Sequence, residues 1–129
     1  MTAAGPDFIA LQVRDLDAAA TFFEEHLGLR RAPASPPGAV VFGTSPIPFA
    51  VREPLPGTDL DAASPRPGVG VALWLAVEDA DALHEHLVGA GVEVLGPVTD
   101  SPFGRTLTFV GPEGYALTAH TAHTAQDPA

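Results

Sequence analysis

The sequence predicts an α+β fold made of two β-α-β-β-β modules. Three observations predict it. Apolar residues alternate at period two in residues 8–13 and again in 71–77. Each alternating run leads through a pair of aspartates into a segment of helical spacing. The two runs are also related by an offset of 64 residues, matching Leu11, Val13, Asp15, Asp17 and Ala18 to Leu75, Val77, Asp79, Asp81 and Ala82. Such a repeat is considered before any other fold, because one copy of about 60 residues buries too little apolar surface to stand well alone.

In the first run Ile9, Leu11 and Val13 point one way and Phe8, Ala10 and Gln12 the other. An aspartate at 15 or 17 suits the helix N-cap. Residues 18–27 follow, with Ala19, Phe22, Phe23, His26 and Leu27 at helical spacing, and Gly28 is placed to end the helix. Strands are expected near 29–34, 39–43 and 47–52. Pro46 and Pro48 mark the last as an edge strand at its start, since proline cannot donate to a ladder. Residues 54–68 carry Pro54, Pro56, Pro65 and Pro67 and read as a linker or a lid.

The second module repeats the plan. Val71, Leu73, Leu75 and Val77 share one strand face, and Ala72, Trp74 and Ala76 the other. A helix over 82–88 follows, with Leu83 and Leu87 on one side and Gly89 and Gly91 closing it. Further strands are expected near 92–95, 105–110 and 115–120. The whole reads as one domain over 7–120, with modules at about 7–53 and 69–120 and a flexible tail at 121–129. Ile9, Leu11, Val13, Val71, Leu73, Leu75 and Val77 are the expected shared core.

Composition excludes several functions. Sixteen acids face six bases, a formal charge of -10, and every base is an arginine. Such a surface repels phosphates, so no nucleic-acid partner is expected. Without lysine there is no Schiff-base or Walker-lysine chemistry. Without cysteine there are no disulfides, thiolate metal sites or thiol nucleophiles. No apolar run approaches the roughly 20 residues of a membrane span, and 1–7 lacks a signal-peptide pattern, so the expected location is cytoplasmic. His84 and His86 project about 200° apart on a helix and cannot share a metal. His26 suits a helix C-terminus. His123 falls in the tail, whereas His120 shares a strand face with Thr118. Gly89 and Gly91 follow a helix and make no dinucleotide fingerprint.

The run from Leu11 to Ala19, with Phe22-Phe23 and Leu27-Gly28-Leu29 after it, resembles the opening of the vicinal oxygen chelate superfamily. This superfamily includes glyoxalases, extradiol dioxygenases, and fosfomycin- and bleomycin-resistance proteins. Gly111-Pro112-Glu113-Gly114 and the strand after it resemble the family's closing turn. The resemblance implies a mixed sheet curled around a concave cavity, and usually a homodimer. In its enzymes a divalent metal is held by His or Glu at places that align here with Phe8, Ala72, Thr118 and Ala50. None is an ordinary ligand, and Gln12 and His120 are the nearest donors.

The departure resembles the metal-free bleomycin-resistance branch. It implies capture of a small molecule with no catalytic residue, metal or cofactor. The candidate wall comprises Phe8, Ala10, Gln12, Ala50, Ala72, Trp74, Ala76, Phe103, Thr118 and His120. With few polar groups and a tryptophan, it suits a bulky, flat, largely apolar ligand, and the -10 charge favours a cationic one. The alternative is a metal-dependent lyase, isomerase or dioxygenase of the glyoxalase type with displaced ligands.

Overall fold

A computed structural model describes residues 1–121. The tail after Thr121, His123 included, lies outside the described residues. The chain divides into two compact units, Met1–Ala62 and the part from Ala63 onward. Among the described residues no helix is long and apolar enough to cross a membrane.

The first unit runs β1 (Ile9–Gln12), α1 (Leu16–Leu27), β2 (Ala39–Phe42) and β3 (Phe49–Arg52), then a 3-10 turn at Leu60–Ala62. Its strand order is β1-β3-β2, with β1 parallel and β2 antiparallel to β3. A parallel pair needs a crossover, and α1 supplies it. The Asp15 carboxylate caps α1 by accepting from the Ala18 N–H at 3.0 Å. Gly28, at φ 67°, ends it, its N–H bonded to the Glu24 carbonyl and that of Leu29 to the Phe23 carbonyl. Phe23 drops from α1 between Phe42 and Phe49, with ring centroids 6.1 and 5.0 Å away. These three rings, with Val13, Val40 and Val51, form the buried core of this unit.

Two expectations change here. The strand at 47–52 is no edge strand: β3 lies between β1 and β2. Its prolines stop at Pro48, before pairing begins at Phe49, so no ladder donor is lost. The strand expected at 29–34 shrinks to one bridge, Arg31 to Phe42, flanked by the Ala32–Val41 and Gly43–Arg30 backbone bonds. Pro33, Pro36 and Pro37 end it.

The second unit runs β4 (Leu73–Val77), α2 (Ala80–Gly89), β5 (Thr99–Ser101), β6 (Gly104–Val110), a 3-10 turn at Pro112–Gly114 and β7 (Ala116–Thr121). Its order is β4-β7-β6-β5, with β4 parallel to β7 and the other pairs antiparallel. Asp79 caps α2 by accepting from the Ala82 N–H at 3.1 Å, as Asp15 does for α1. With the cap at Asp79, α2 starts two residues earlier than expected. The Ala80 N–H also donates to the Thr121 hydroxyl at 2.7 Å, tying the end of β7 to the start of α2. Arg105 on β6 bonds both Asp81 in the first turn of α2 and Asp100 on β5.

The strand expected at 92–95 is again a single bridge, Val94 to Phe109. Gly96 and Pro97 interrupt it, and the chain rejoins the same edge of β6 as β5, which the sequence pattern did not announce. Val71 and Ala72 fall outside β4, and Val71 is 77% exposed. The register that pairs Leu73 with Leu117 would set Val71 against Tyr115, which precedes β7, and Ala72 against its first residue, so the ladder begins only at Leu73.

The core is also redistributed. Ile9, Leu11, Leu73, Leu75 and Val77 are half-buried because β1 and β4 are edge strands. The sealed residues of the second unit are Ala80, Leu87, Leu107, Phe109, Leu117 and Ala119, from α2 and the central strands β6 and β7. Residues 54–68 are held at both ends. The Leu55 N–H donates to the Gln12 side-chain oxygen and Arg14 pairs with Asp61, while Arg66 donates to the Gly114 carbonyl.

Asp15→Ala and Asp79→Ala are each expected to cost about 1 kcal/mol in urea denaturation, the usual loss for a carboxylate cap. Hydrogen bonds from Arg105 hold the Asp81 carboxyl below its ordinary value of 3.8. A lowered carboxyl stabilises the fold above its unfolded value, and that gain fades as pH falls through the folded one. The stability gap between the parent protein and Arg105→Leu should therefore be steady above about pH 4 and narrow below it. A gap that widens on acidification would contradict this pairing.

Candidate functional site

In the second unit α2 packs against β6 and β7 and covers one face of the sheet. Residues opposite one another in a sheet share a face. The covered face holds Leu73 and Leu75, with Leu117, Ala119, Leu107 and Phe109 beside them in register. The other face carries two rows. One is Trp74–Thr118–Thr108, and the next is Ala76–His120–Thr106–Thr99.

Trp74 is 42% exposed on this face, whereas Leu117 and Ala119, which flank its partner Thr118 on β7 and point to the covered face, are sealed. Its indole stands edge-to-face to the His120 imidazole, with centroids 5.4 Å apart, and to the Phe103 ring at 5.8 Å. Phe103 sits in the β5–β6 turn. The Ser101 hydroxyl holds this turn by accepting from the Phe103 N–H and donating to the Gly104 carbonyl. The Phe103 carbonyl in turn accepts from His120 Nδ1 at 3.0 Å. Two hydroxyl pairs complete the face, Thr108 with Thr118 at 3.0 Å and Thr99 with Thr106 at 3.2 Å.

The structure thus brings Trp74, Phe103, Thr118 and His120 together, with Ala76 next to His120 in register. Ala72 is exposed and lies before the strand. In the first unit Ala10 pairs with Ala50, and Gln12 pairs with Arg52. Ala50 is sealed on the central strand, Ala10 is exposed, and Phe8, just before β1, is 49% exposed. The Gln12 side-chain oxygen is engaged by the Leu55 N–H.

Sequence reasoning missed Thr99, Thr106 and Thr108, and so read the wall as poorer in polar groups than it is. The signal was present: in Thr106-Leu107-Thr108-Phe109 hydroxyls alternate with apolar side chains. That pattern assigns a strand a polar face as readily as a buried one.

A divalent metal does not fit the residues at the four aligned places. They offer a phenyl ring, two methyl groups and one hydroxyl, at Phe8, Ala50, Ala72 and Thr118. Among the described residues no three His, Asp or Glu side chains gather where they could hold an ion.

Comparison with known proteins agrees with this architecture. The family model of the Glyoxalase/Bleomycin resistance protein/Dioxygenase superfamily matches residues 5–119. A glyoxylase/bleomycin resistance protein/dioxygenase domain from Frankia sp. EAN1pec is 27% identical over 97% of this chain and 96% of that one, with a TM-score of 0.72. TnmS3, an antibiotic binding protein from Streptomyces sp. CB03234, has the same TM-score at 22% identity, over 95% of this chain and 99% of its own. The fosfomycin resistance protein FosX from Listeria monocytogenes matches at 19% identity and TM-score 0.69, over 95% and 94% of the two chains. No curated protein matches the chain in sequence.

Restoring one imidazole should not restore a metal centre. Phe8→His leaves the other three places without a ligand, so elemental analysis of the purified variant should find no stoichiometric metal. One tightly held ion per chain would show that the aligned places are misassigned.

Proposed function

The chain belongs to the Glyoxalase/Bleomycin resistance protein/Dioxygenase superfamily, and from that premise we propose that it captures a bulky, flat, aromatic small molecule without metal chemistry. The observation that carries this reading is Trp74. A large exposed indole stands braced by Phe103 and His120 on the sheet face that α2 leaves uncovered. Stacking on it adds about 0.5–1.5 kcal/mol beyond area burial. The non-ligating side chains at the four metal positions support binding over metal catalysis.

The broader company fits as well. TnmS3, which shares the fold, is an antibiotic binding protein. The role proposed for this chain is the sequestration of a toxic or antibiotic compound, in the cytoplasm, by a homodimer. Binding is stoichiometric, and no bond is made or broken. The net charge of -10 draws a cationic ligand mainly by speeding association, which salt weakens.

The test uses the only tryptophan as reporter. A cationic aromatic dye such as ethidium, titrated into the protein, should quench Trp74 saturably, and the apparent affinity should fall with added salt. Trp74→Ala, read by the dye's own fluorescence, should weaken binding about tenfold or more, equivalent to about 1.4 kcal/mol. Sedimentation of the same sample should give a dimer. Unchanged affinity in Trp74→Ala would remove the open face from consideration. About one equivalent of nickel, zinc, manganese or iron in protein purified without chelators would favour the glyoxalase-type enzyme instead.

A further inference from the structure

Resting on the reading of the open face as a ligand site, we infer that His120 selects flat aromatic ligands bearing a hydroxyl group, by accepting that hydroxyl's hydrogen bond at Nε2. The Phe103 carbonyl oxygen has only lone pairs to offer. Its 3.0 Å contact with His120 Nδ1 therefore places the proton on Nδ1. In the neutral ring the lone pair then sits on Nε2. Among the described residues His120 makes no other hydrogen bond.

The ring is also fixed in direction. Its Nδ1 is tied to the β5–β6 turn and its face is met by the Trp74 indole at an interplanar angle of 62°. Beside it in register, Ala76 presents only a methyl group. A planar molecule stacked on Trp74 meets no bulky side chain there.

The threonines sharpen the assignment. The Thr106 hydroxyl donates to the Thr99 carbonyl at 3.3 Å, so the Thr99 hydroxyl donates to Thr106, and both protons of that pair are used internally. In the Thr108–Thr118 pair only one proton lies between the two oxygens, so the other hydroxyl can donate outward. Thr118 is two residues from His120 on β7, a separation of about 7 Å along the strand. The face therefore offers a fixed acceptor and, one step away, a donor, both next to the indole. A phenol-type hydroxyl satisfies the acceptor, while a bare hydrocarbon leaves it desolvated and unpaired.

Three probes of one ring system separate the possibilities: 9-phenanthrol, 9-methoxyphenanthrene and phenanthrene. Each is titrated into the parent protein, His120→Phe and His120→Gln, with Trp74 fluorescence as the readout and circular dichroism as the check of folding. The parent should bind phenanthrol about tenfold more tightly than the methyl ether. His120→Phe keeps an aromatic neighbour for Trp74 but has no acceptor, so it should bind all three within about twofold. His120→Gln, which restores an acceptor oxygen, should regain part of the preference. Equal affinity of the parent for phenanthrol and its ether overturns the inference, and this comparison needs no variant. A preference that survives in His120→Phe overturns it as well. If the cationic dye binds at Trp74 but phenanthrol does not, the inference fails and the reading of the face stands. If no flat aromatic binds at all, both fail.

Discussion

Among the described residues each sheet has a single α-helix to cover it, and that constraint organises both units. A parallel edge pair, β1 with β3 or β4 with β7, requires a crossover, and the one helix that makes it packs on one face only. Strand alternation then sorts the side chains. On β7, Leu117 and Ala119 are sealed, while Thr118 and His120, alternating with them, stay part-exposed. The same strand therefore contributes to the core and displays chemistry, and neither role can be changed by a one-residue slip without losing the other. Asp15 and Asp79 protect that register from the helix side, since each fixes where its helix begins relative to the strand before it.

The repeated strand–helix pattern lets the two units be compared position by position. By strand register and the 64-residue offset, Ala10 corresponds to Trp74 and Gln12 to Ala76. The partners on the central strands follow, Ala50 with Thr118 and Arg52 with His120. The first unit has small side chains where the second has an indole and a hydroxyl. Its polar pair is spent on local structure, Gln12 accepting from the Leu55 N–H and Arg52 donating to the Glu53 carbonyl. The aromatic and hydrogen-bonding side chains of the candidate site are therefore concentrated in the second unit, although both units share one strand–helix pattern.

The fold was legible because its strongest signals are local. Period-two alternation, an aspartate cap and a terminal glycine each act within a few residues, and all three appear twice. The errors came where partners decide. Nothing in Val71-Ala72 distinguishes them from the strand that follows, yet ladder pairing with β7 begins only at Leu73. The prolines before Phe49 suggested an edge, but a central strand tolerates them when they precede its first ladder bond. The candidate site divided in the same way. Trp74, Thr118 and His120 were legible from alternation on their own strands. Their contact with the Phe103 turn, and the alignment of Thr99, Thr106 and Thr108 beside them, depends on the pairing of β5, β6 and β7.

Stacking alone is a poor discriminator, because every planar aromatic has a face to offer. It contributes about 0.5–1.5 kcal/mol, much the same from one ring system to the next. A buried hydrogen-bonding group behaves differently. Left without a partner when a ligand covers it, it costs about 1–3 kcal/mol, and so it penalises the wrong ligand more than it rewards the right one. In the proposed reading the second unit separates these tasks. Trp74 and Phe103, in contact with each other, would supply the area. His120, held by a backbone carbonyl and so unable to turn its ring without losing that bond, supplies a fixed demand for a donor. A protein that sequesters one compound among many aromatic metabolites needs both. The second can be supplied by a single imidazole, because its tautomer is set by the turn that also carries Phe103.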